Sequence, residues 1–234
     1  GEILGVAGVE GNGQNQLVQA ITGLKGYHSG DIEIGGESIK GLSIKELRRR
    51  KISHIPEDRM TIGLAPTLSI TENVLADKID DPAYSTKAGL LKPDAMKKYG
   101  QAMVQDYGIL AKDADVAIAS LSGGNIQKAI LAREISSQPN MIVADQPTRG
   151  VDVGATEFIR KLLVQMRDDG KTVFLISSDL NEVLGLSDRL LVMFEGKIAA
   201  YFPDVSAVTE EELGRYMLGV KKQPADQVRG ALDD

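Results

Sequence analysis

The chain has 234 residues, and its 27 lysines and arginines against 33 aspartates and glutamates give a formal net charge of −6. With 42% hydrophobic residues, a chain of this length can bury a large core, which excludes a largely disordered protein. It has no cysteine and two histidines, His28 and His54, so a disulfide framework and a thiolate metal site are excluded. The acidic balance indicates no nucleic acid partner, and the sequence has no run of 18 apolar residues that would predict a membrane span.

The opening residues predict a buried strand that runs into a glycine-rich turn and then a helix. Because the strand begins at the first residue without an initiator methionine, we expect the chain to be a fragment of a longer protein. Polar and apolar residues then alternate around Gly35 and Gly36, which indicates a short hairpin. The predicted elements of this part are a strand (1–8), a helix (16–24), the hairpin (30–42), a helix (44–50) and a strand (52–56).

The middle of the chain is mainly helical in pattern, and strands and helices alternate after it, which favours a parallel sheet. The predicted elements are helices near 70–78, 94–107, 125–137 and 155–167, strands at 141–144 and 172–177, and a hairpin at 190–201.

We therefore expect a discontinuous core, residues 1–68 and 139–220, with an inserted helical lobe at 69–138. Residues 221–234 are polar and lack periodicity, which predicts a frayed tail or a linker.

The turn after the first strand has the glycine frame of the phosphate-loop pattern GxxxxGK[ST], in which backbone N–H groups turn inward onto phosphate. Gln14 occupies the lysine position and Asn15 the serine or threonine position, so the charge and the Mg²⁺-binding hydroxyl are both missing. We expect weaker and less metal-dependent nucleotide binding; a tight turn without a ligand is the alternative. The candidate phosphate-binding residues are Gly8, Gly11, Asn12, Gly13, Gln14, Asn15 and Gln16.

The apolar strand at 141–144 delivers Asp145 to the carboxyl end of the predicted sheet, where parallel sheets place their ligands. Asp145 is therefore a candidate to hold Mg²⁺ through water, with Asn15 as a weaker second candidate. The next residue is Gln146, where a glutamate would polarise the attacking water. An amide is a far poorer proton acceptor, so we expect crippled hydrolysis here. A strand-end aspartate that caps the next turn is the alternative.

A third motif, Leu-Ser-Gly-Gly-Asn at 121–125, immediately precedes a predicted helix. Ser122, Gly123 and Gly124 at a helix N-terminus would expose a hydroxyl and several backbone N–H groups to an anion. Taken alone, an ordinary helix N-cap explains the same residues.

In order and spacing, these three motifs resemble the nucleotide-binding domain of an ATP-binding cassette (ABC) transporter, over nearly the whole chain. Residues 121–125 match its LSGGQ signature, 141–146 its Walker B strand and 147–152 its D-loop. The resemblance implies an α/β fold: a P-loop NTPase core with a parallel sheet, a short antiparallel β portion and an inserted α-helical signature subdomain. The chain has Glu57 where the family has its Q-loop glutamine, and Ser178 where the family has its switch histidine.

The motifs are most similar to the second cassette of tandem proteins that energise uptake of nucleosides and simple sugars. In that arrangement two cassettes close face to face, so the resemblance implies that the signature of this chain faces an ATP held by the first cassette. The chain's own nucleotide side would be degenerate, because it lacks the lysine at Gln14 and two catalytic side chains. The positions that match the family's catalytic residues are Asp145, Gln146 and Ser178, the last two substituted.

The resemblance also implies cofactors, partners and a location. The cofactors would be ATP and Mg²⁺, with Glu57 among the nucleotide-binding positions. The partners would be the first cassette, on the same or a paired chain, membrane permease subunits that dock near residues 57–71, and indirectly a solute-binding protein. The chain would lie peripherally on the cytoplasmic face of the membrane. Two alternatives stay open: a fully active soluble ABC ATPase, and a non-catalytic structural half of a cassette dimer.

Overall fold

The structure is a computed structural model that describes residues 1–233, and it divides the chain into two compact units. The first unit comprises residues 1–54, 139–147 and 160 onward, and the second comprises residues 55–138 and 148–159. The second unit thus begins before the helical lobe expected at 69–138, and it includes the segment that follows Pro147.

The strands are, in chain order, β1 (Glu2–Ala7), β2 (Glu33–Ile34), β3 (Glu37–Ser38), β4 (Ile52–Ile55), β5 (Met141–Asp145), β6 (Thr172–Ile176), β7 (Arg189–Phe194) and β8 (Lys197–Phe202). Six of them form one sheet in the order β4-β5-β6-β1-β7-β8, and β2 and β3 form the predicted short hairpin. β1 pairs in parallel with β6 and with β7, and β5 pairs in parallel with β6. β7 and β8 form the predicted antiparallel hairpin.

The helices are, in chain order, α1 (Gln14–Ile21), α2 (Ile44–Arg49), α3 (Ile70–Leu75), α4 (Pro93–Asp106), α5 (Gly123–Ser136), α6 (Val153–Asp168), α7 (Leu180–Leu186), α8 (Glu210–Met217) and α9 (Ala225–Asp233). A π-helical turn at Arg59–Gly63 and a 3₁₀ turn at Ile118–Ser120 complete them.

The sheet of the first unit is covered by helices on both faces. Successive strand residues point to opposite faces. Val6 of β1 packs with Val18 of α1, whereas Ala7 packs with Val183 of α7 and Leu213 of α8. Burial of both faces explains why the central strands are almost continuously apolar. In β1, β5 and β6 the polar side chains therefore lie at the ends of the strands.

The second unit is helical, as the sequence predicts, and its three helices α3, α4 and α5 lie within a few residues of the expected positions. Ser69 begins α3 with a capping box, in which its hydroxyl accepts from the Glu72 N–H and the Glu72 carboxylate accepts from the Ser69 N–H. α4 approaches α3 closely at Gly100, because a Cβ atom there would collide with Thr71. Glycine is required at this helix crossing.

The end of the chain differs from the frayed tail expected at 221–234. Residues Ala225–Asp233 form α9, and Val228 is buried in the core of the first unit. Gln223 donates its N–H to the Ala199 carbonyl at 2.9 Å, and its side-chain amide pairs with the N–H and the carbonyl of Tyr201 at 2.8 and 3.2 Å. One apolar contact and a hydrogen-bonded glutamine hold a segment whose composition alone indicates disorder.

We predict that Val228→Ala lowers the free energy of unfolding by about 1–2 kcal/mol, because two buried methyl groups are removed from the core. The control is Val220→Ala, since Val220 is 77% exposed and should change stability by less than about 0.5 kcal/mol. Urea unfolding followed by circular dichroism measures both. Equal effects of the two variants would show that α9 is not docked.

Candidate functional site

The carboxyl ends of three parallel strands of the first unit lie in one register. Val6 of β1 is paired with Ile176 of β6, and Ile176 is paired with Asp145 of β5. The residues that follow these strands therefore meet at one edge of the sheet. This edge brings together the glycine loop that starts at Gly8 and the predicted positions Asp145, Gln146 and Ser178, whose roles stay predictions.

The glycine loop is shaped by left-handed backbone conformations at two positions. Gly11 has φ +91° and Gly13, the N-cap of α1, has φ +107°, values that side chains with a Cβ atom rarely adopt. Gly8 is required for space, since a Cβ atom there would collide with Nε2 of Gln14 and lie 2.9 Å from the Met193 carbonyl oxygen. The loop thus has the strand–turn–helix geometry that presents backbone N–H groups to an anion.

Inside this loop, the Val9 carbonyl oxygen accepts three hydrogen bonds. They come from the N–H of Asn12 at 3.2 Å, from Nδ2 of Asn12 at 3.0 Å and from Nε2 of Gln14 at 3.2 Å. Gln14 is buried and faces inward, whereas Asn15 and Gln16 are exposed on the first turn of α1. Gln14, which occupies the lysine position, therefore forms a hydrogen bond across the loop and adds no positive charge to it.

Asn12 also fixes the loop to the turn between β7 and β8. The Glu195 N–H donates to Oδ1 of Asn12 at 2.8 Å, and the Gly196 N–H donates to the Asn12 carbonyl oxygen at 3.0 Å. The glycine loop is thus held in shape by the protein's own hydrogen bonds.

Asp145 is 7% exposed at the end of β5. Burial raises the pKa of its carboxyl group from the ordinary value of 3.8 to about 6, because the charged form is desolvated. A bound cation would offset this cost. The position therefore suits a carboxylate that holds a hydrated metal ion.

Gln146 and Ser178, the two substituted positions that the sequence predicts to be catalytic, contact each other. Oε1 of Gln146 accepts from the Ser178 N–H and from the Ser178 hydroxyl, each at 3.1 Å. The Gln146 N–H donates to the Ile176 carbonyl at 2.8 Å, and Gln146 has φ +49°, a strained conformation for a residue with a side chain. The Gln146 amide oxygen thus already has two donors, and an amide does not act as a general base.

In the second unit, Ser122 is the N-cap of α5, where the first backbone N–H groups have no partner within the helix. Nδ2 of Asn125 donates to the Ser122 hydroxyl oxygen at 2.9 Å, and Oδ1 of Asn125 accepts from the Leu110 N–H at 2.8 Å. Because the Ser122 oxygen acts as an acceptor in this bond, its proton can be donated outward. The arrangement fits an anion-binding helix end.

Both glycines of this motif pack closely on a neighbouring segment. A Cβ atom at Gly124 would lie 2.5 Å from Oδ2 of Asp152, and one at Gly123 would lie 3.2 Å from the Gly150 carbonyl oxygen. Asp152 in turn accepts from the Ala155 N–H at 2.9 Å at the start of α6. The signature segment therefore packs on the segment 150–155.

Glu57, a predicted nucleotide-binding residue, lies in the second unit and forms an ion pair with Arg149. Nη2 of Arg59 donates to the Arg149 carbonyl oxygen. The contacts of Arg59 and Arg149 were not predicted from the sequence. The opposite charges of Glu57 and Arg149, each within a motif already singled out, were the available signal.

Two features are absent from the described residues, 1–233. In that range no group of three or more histidine, aspartate or glutamate side chains could hold a metal ion. Over the same residues, none of the helices is both long enough and apolar enough to cross a membrane.

The sequence matches known proteins over most of its length. The sequence model of the family described as ABC transporter matches residues 1–149. The guanosine import ATP-binding protein NupO of Bacillus subtilis (strain 168) is 42% identical over 230 residues, which are 98% of this chain and 45% of that protein. The ribose import ATP-binding protein RbsA of Bacillus cereus (strain ATCC 14579) is 38% identical over 198 residues, 85% of this chain and 39% of that protein. The chain thus spans less than half the length of these relatives.

The structure is similar to solved ATP-binding cassettes. A dimeric post-hydrolysis state of the cassette MJ0796, bound to ADP and phosphate, aligns with a TM-score of 0.73 at 25% identity, over 88% of this chain and 87% of that chain. This likeness confirms the predicted fold class, an α/β P-loop NTPase cassette with a mostly parallel sheet, a short antiparallel sheet and a helical insertion.

We predict that Asp145→Asn raises the free energy of unfolding at pH 7.5 by about 2–3 kcal/mol in metal-free buffer. The folded chain binds the Asp145 proton more tightly than the unfolded chain, so the stability of the unmodified protein falls as pH rises from about 4 to about 6. The advantage of the variant should therefore nearly vanish at pH 4. Urea unfolding at both pH values measures it. Exposed Asp106→Asn is the control, and a constant difference between Asp145→Asn and the unmodified protein would contradict the prediction.

Proposed function

The chain belongs to the ABC transporter family, and on this premise we propose that it is an ATP-binding cassette that energises import of nucleosides or simple sugars. The observation that carries the proposal is a difference between two segments that could bind an anion, the helix end at Ser122 and the glycine loop. The Ser122 helix end has a hydroxyl proton and backbone N–H groups to donate, whereas the glycine loop is closed by its own neutral side chains.

In this proposal the signature segment serves a nucleotide held by a partner cassette, the first cassette of a tandem. The Ser122 hydroxyl and the N–H groups of Gly123 and Gly124 would stabilise negative charge on the γ-phosphate as preorganised donors. The dimeric cassette bound to ADP and phosphate, to which this chain is similar, supports a paired arrangement.

The chain's own nucleotide side would bind ATP weakly and turn it over slowly. Proteins of this family use ATP with Mg²⁺. Backbone N–H groups of the glycine loop would hold phosphate, and the Asp145 carboxylate with the Asn15 amide oxygen would hold Mg²⁺. Gln146 would orient water but not take its proton, since an amide is a poor base. These residues support retention of nucleotide over hydrolysis.

The proposed partners are membrane permease subunits and, through them, a solute-binding protein, with the chain on the cytoplasmic face of the membrane. Three apolar side chains of the second unit, within the segment expected to dock a permease helix, support this: Met60, Ile62 and Leu68 are 40%, 51% and 42% exposed. Exposed apolar side chains that cluster in one segment are typical of an interaction site.

We predict that Ser122→Glu lowers ATP turnover of the assembled transporter by about 100-fold or more, because a carboxylate replaces a donor beside the γ-phosphate. Steady-state ATPase assays measure the loss, and the melting temperature of the purified protein verifies that it folds. The matched control is Ser206→Glu, at an exposed serine of the first unit, which should keep full turnover. Unimpaired turnover in Ser122→Glu would refute the signature role.

The chain's own site can be isolated in the Ser122→Glu background, where the partner's ATP is no longer turned over. We predict that adding Gln14→Lys and Gln146→Glu restores measurable turnover. The first change adds a positive charge for the phosphates and the second adds a general base, while the glycine loop and the strand ends keep their geometry. Gln101→Lys with Gln105→Glu, two exposed positions on α4, gives the matched control. No recovery, with no ATP binding by calorimetry, would favour a non-catalytic structural half.

A further inference from the structure

Arg59 lies where three segments of the second unit meet. Its Nη2 donates to the carbonyl oxygen of Arg149. Its Nη1 lies 3.6 Å from the position that a Cβ atom would take at Gly123, and the Gly150 carbonyl oxygen lies 3.2 Å from the same position. The guanidinium group of Arg59 therefore sits against the signature segment and against residues 149–150 at once.

The carboxylate next to Arg59 in sequence is engaged elsewhere. Oδ1 of Asp58 accepts from the Thr61 N–H at 2.9 Å and from the Met60 N–H at 3.1 Å. Arg59 itself is half-buried, and burial lowers the pKa of its guanidinium group, because its charged form loses contact with water. Desolvating a cation costs free energy, and the hydrogen bond from Arg59 to the Arg149 carbonyl oxygen offsets part of that cost.

A second contact holds Arg149, the residue whose carbonyl oxygen accepts from Arg59. The Glu57 carboxylate pairs with the guanidinium group of Arg149, while Arg59 holds the main chain of that residue. Glu57 and Arg59, two positions apart in sequence, thus hold both the side chain and the backbone of Arg149. The Arg149 side chain is 53% exposed and the Glu57 side chain is 29% exposed, so the ion pair is the weaker of the two contacts.

We propose that Arg59 is a positioning residue for the signature: it holds residues 149–150 against Gly123 and so fixes where the donors of Ser122, Gly123 and Gly124 point. The Glu57–Arg149 pair supports the same arrangement from the other side of Arg149. This inference rests on the proposed function, in which those donors act on a partner's nucleotide. It also gives Glu57, which replaces the family's Q-loop glutamine, a role at the signature.

The expected effect on the reaction follows from geometry. Donors stabilise a developing charge only when they are already in place, and a misplacement of about 1 Å can cost about 100-fold in rate. Without Arg59, the Gly150 carbonyl can move away from Gly123, and the N-terminus of α5 loses a packing contact. ATP binding to the partner's own loop does not involve Arg59, so kcat should fall more than the half-saturating ATP concentration rises.

The test uses the assembled transporter with both cassettes and compares Arg59→Ala, Arg59→Lys and Arg149→Ala. We expect Arg59→Ala to lower kcat about tenfold with KM for ATP changed less than about twofold. Arg59→Lys keeps a charged donor and should recover more than half of the lost rate. Arg149→Ala loses the pair with Glu57 but keeps its carbonyl, so it should lower kcat by about threefold, less than Arg59→Ala.

Lys97→Ala is the matched control, because it breaks an exposed ion pair with Asp115 (2.8 Å) in the same unit and should leave kcat unchanged. Full kcat in Arg59→Ala, with Ser122→Glu inactive, would overturn the positioning role and leave the proposed function standing. Full kcat in both would overturn the proposed function as well. A lower melting temperature in Arg59→Ala, with no recovery in Arg59→Lys, would show a structural role alone and would also overturn the inference.

Discussion

The alignment of three parallel strands is the constraint on which the first unit depends. Val6, Ile176 and Asp145 lie side by side, so the glycine loop, the buried carboxyl group and the Gln146–Ser178 contact all follow from the ends of β1, β5 and β6. Apolar burial on both faces of the sheet and the parallel pairing of the strands fix that alignment. The side chains of Gln14, Gln146 and Ser178 can therefore differ from those that the family resemblance leads us to expect without loss of this frame.

The glycine loop of the first unit and the Ser122 helix end of the second unit use their side-chain amides differently. In the first, Asn12 and Gln14 donate into the loop, so the Val9 carbonyl is satisfied by the protein itself. In the second, the Asn125 amide uses only the acceptor capacity of the Ser122 hydroxyl and leaves its proton to donate. A loop stabilised from within and a helix end prepared for an external anion are what a cassette that serves a partner's nucleotide would need.

Local patterns made most of the fold and part of the site predictable. The glycine frame, the apolar strand that ends at Asp145 and the Ser-Gly-Gly helix start are short motifs whose geometry is set by neighbouring residues. The missed features depend on distant partners: Glu57 and Arg149 are 92 residues apart, and α9 is held by Val228 and Gln223 in contact with β8 and the core. Polar composition predicted a tail at that position, because composition does not report what a segment can pack against.

Gln223 has a consequence for the sheet as a whole. β8 is the last strand in the sheet order, so the hydrogen-bonding groups on its outer side would otherwise be open to another extended chain. One backbone N–H and one side-chain amide occupy the outward groups of Ala199 and Tyr201, as a neighbouring strand would. A single glutamine thus occupies three outward hydrogen-bonding groups of β8 and leaves fewer of them open to pairing with another extended chain.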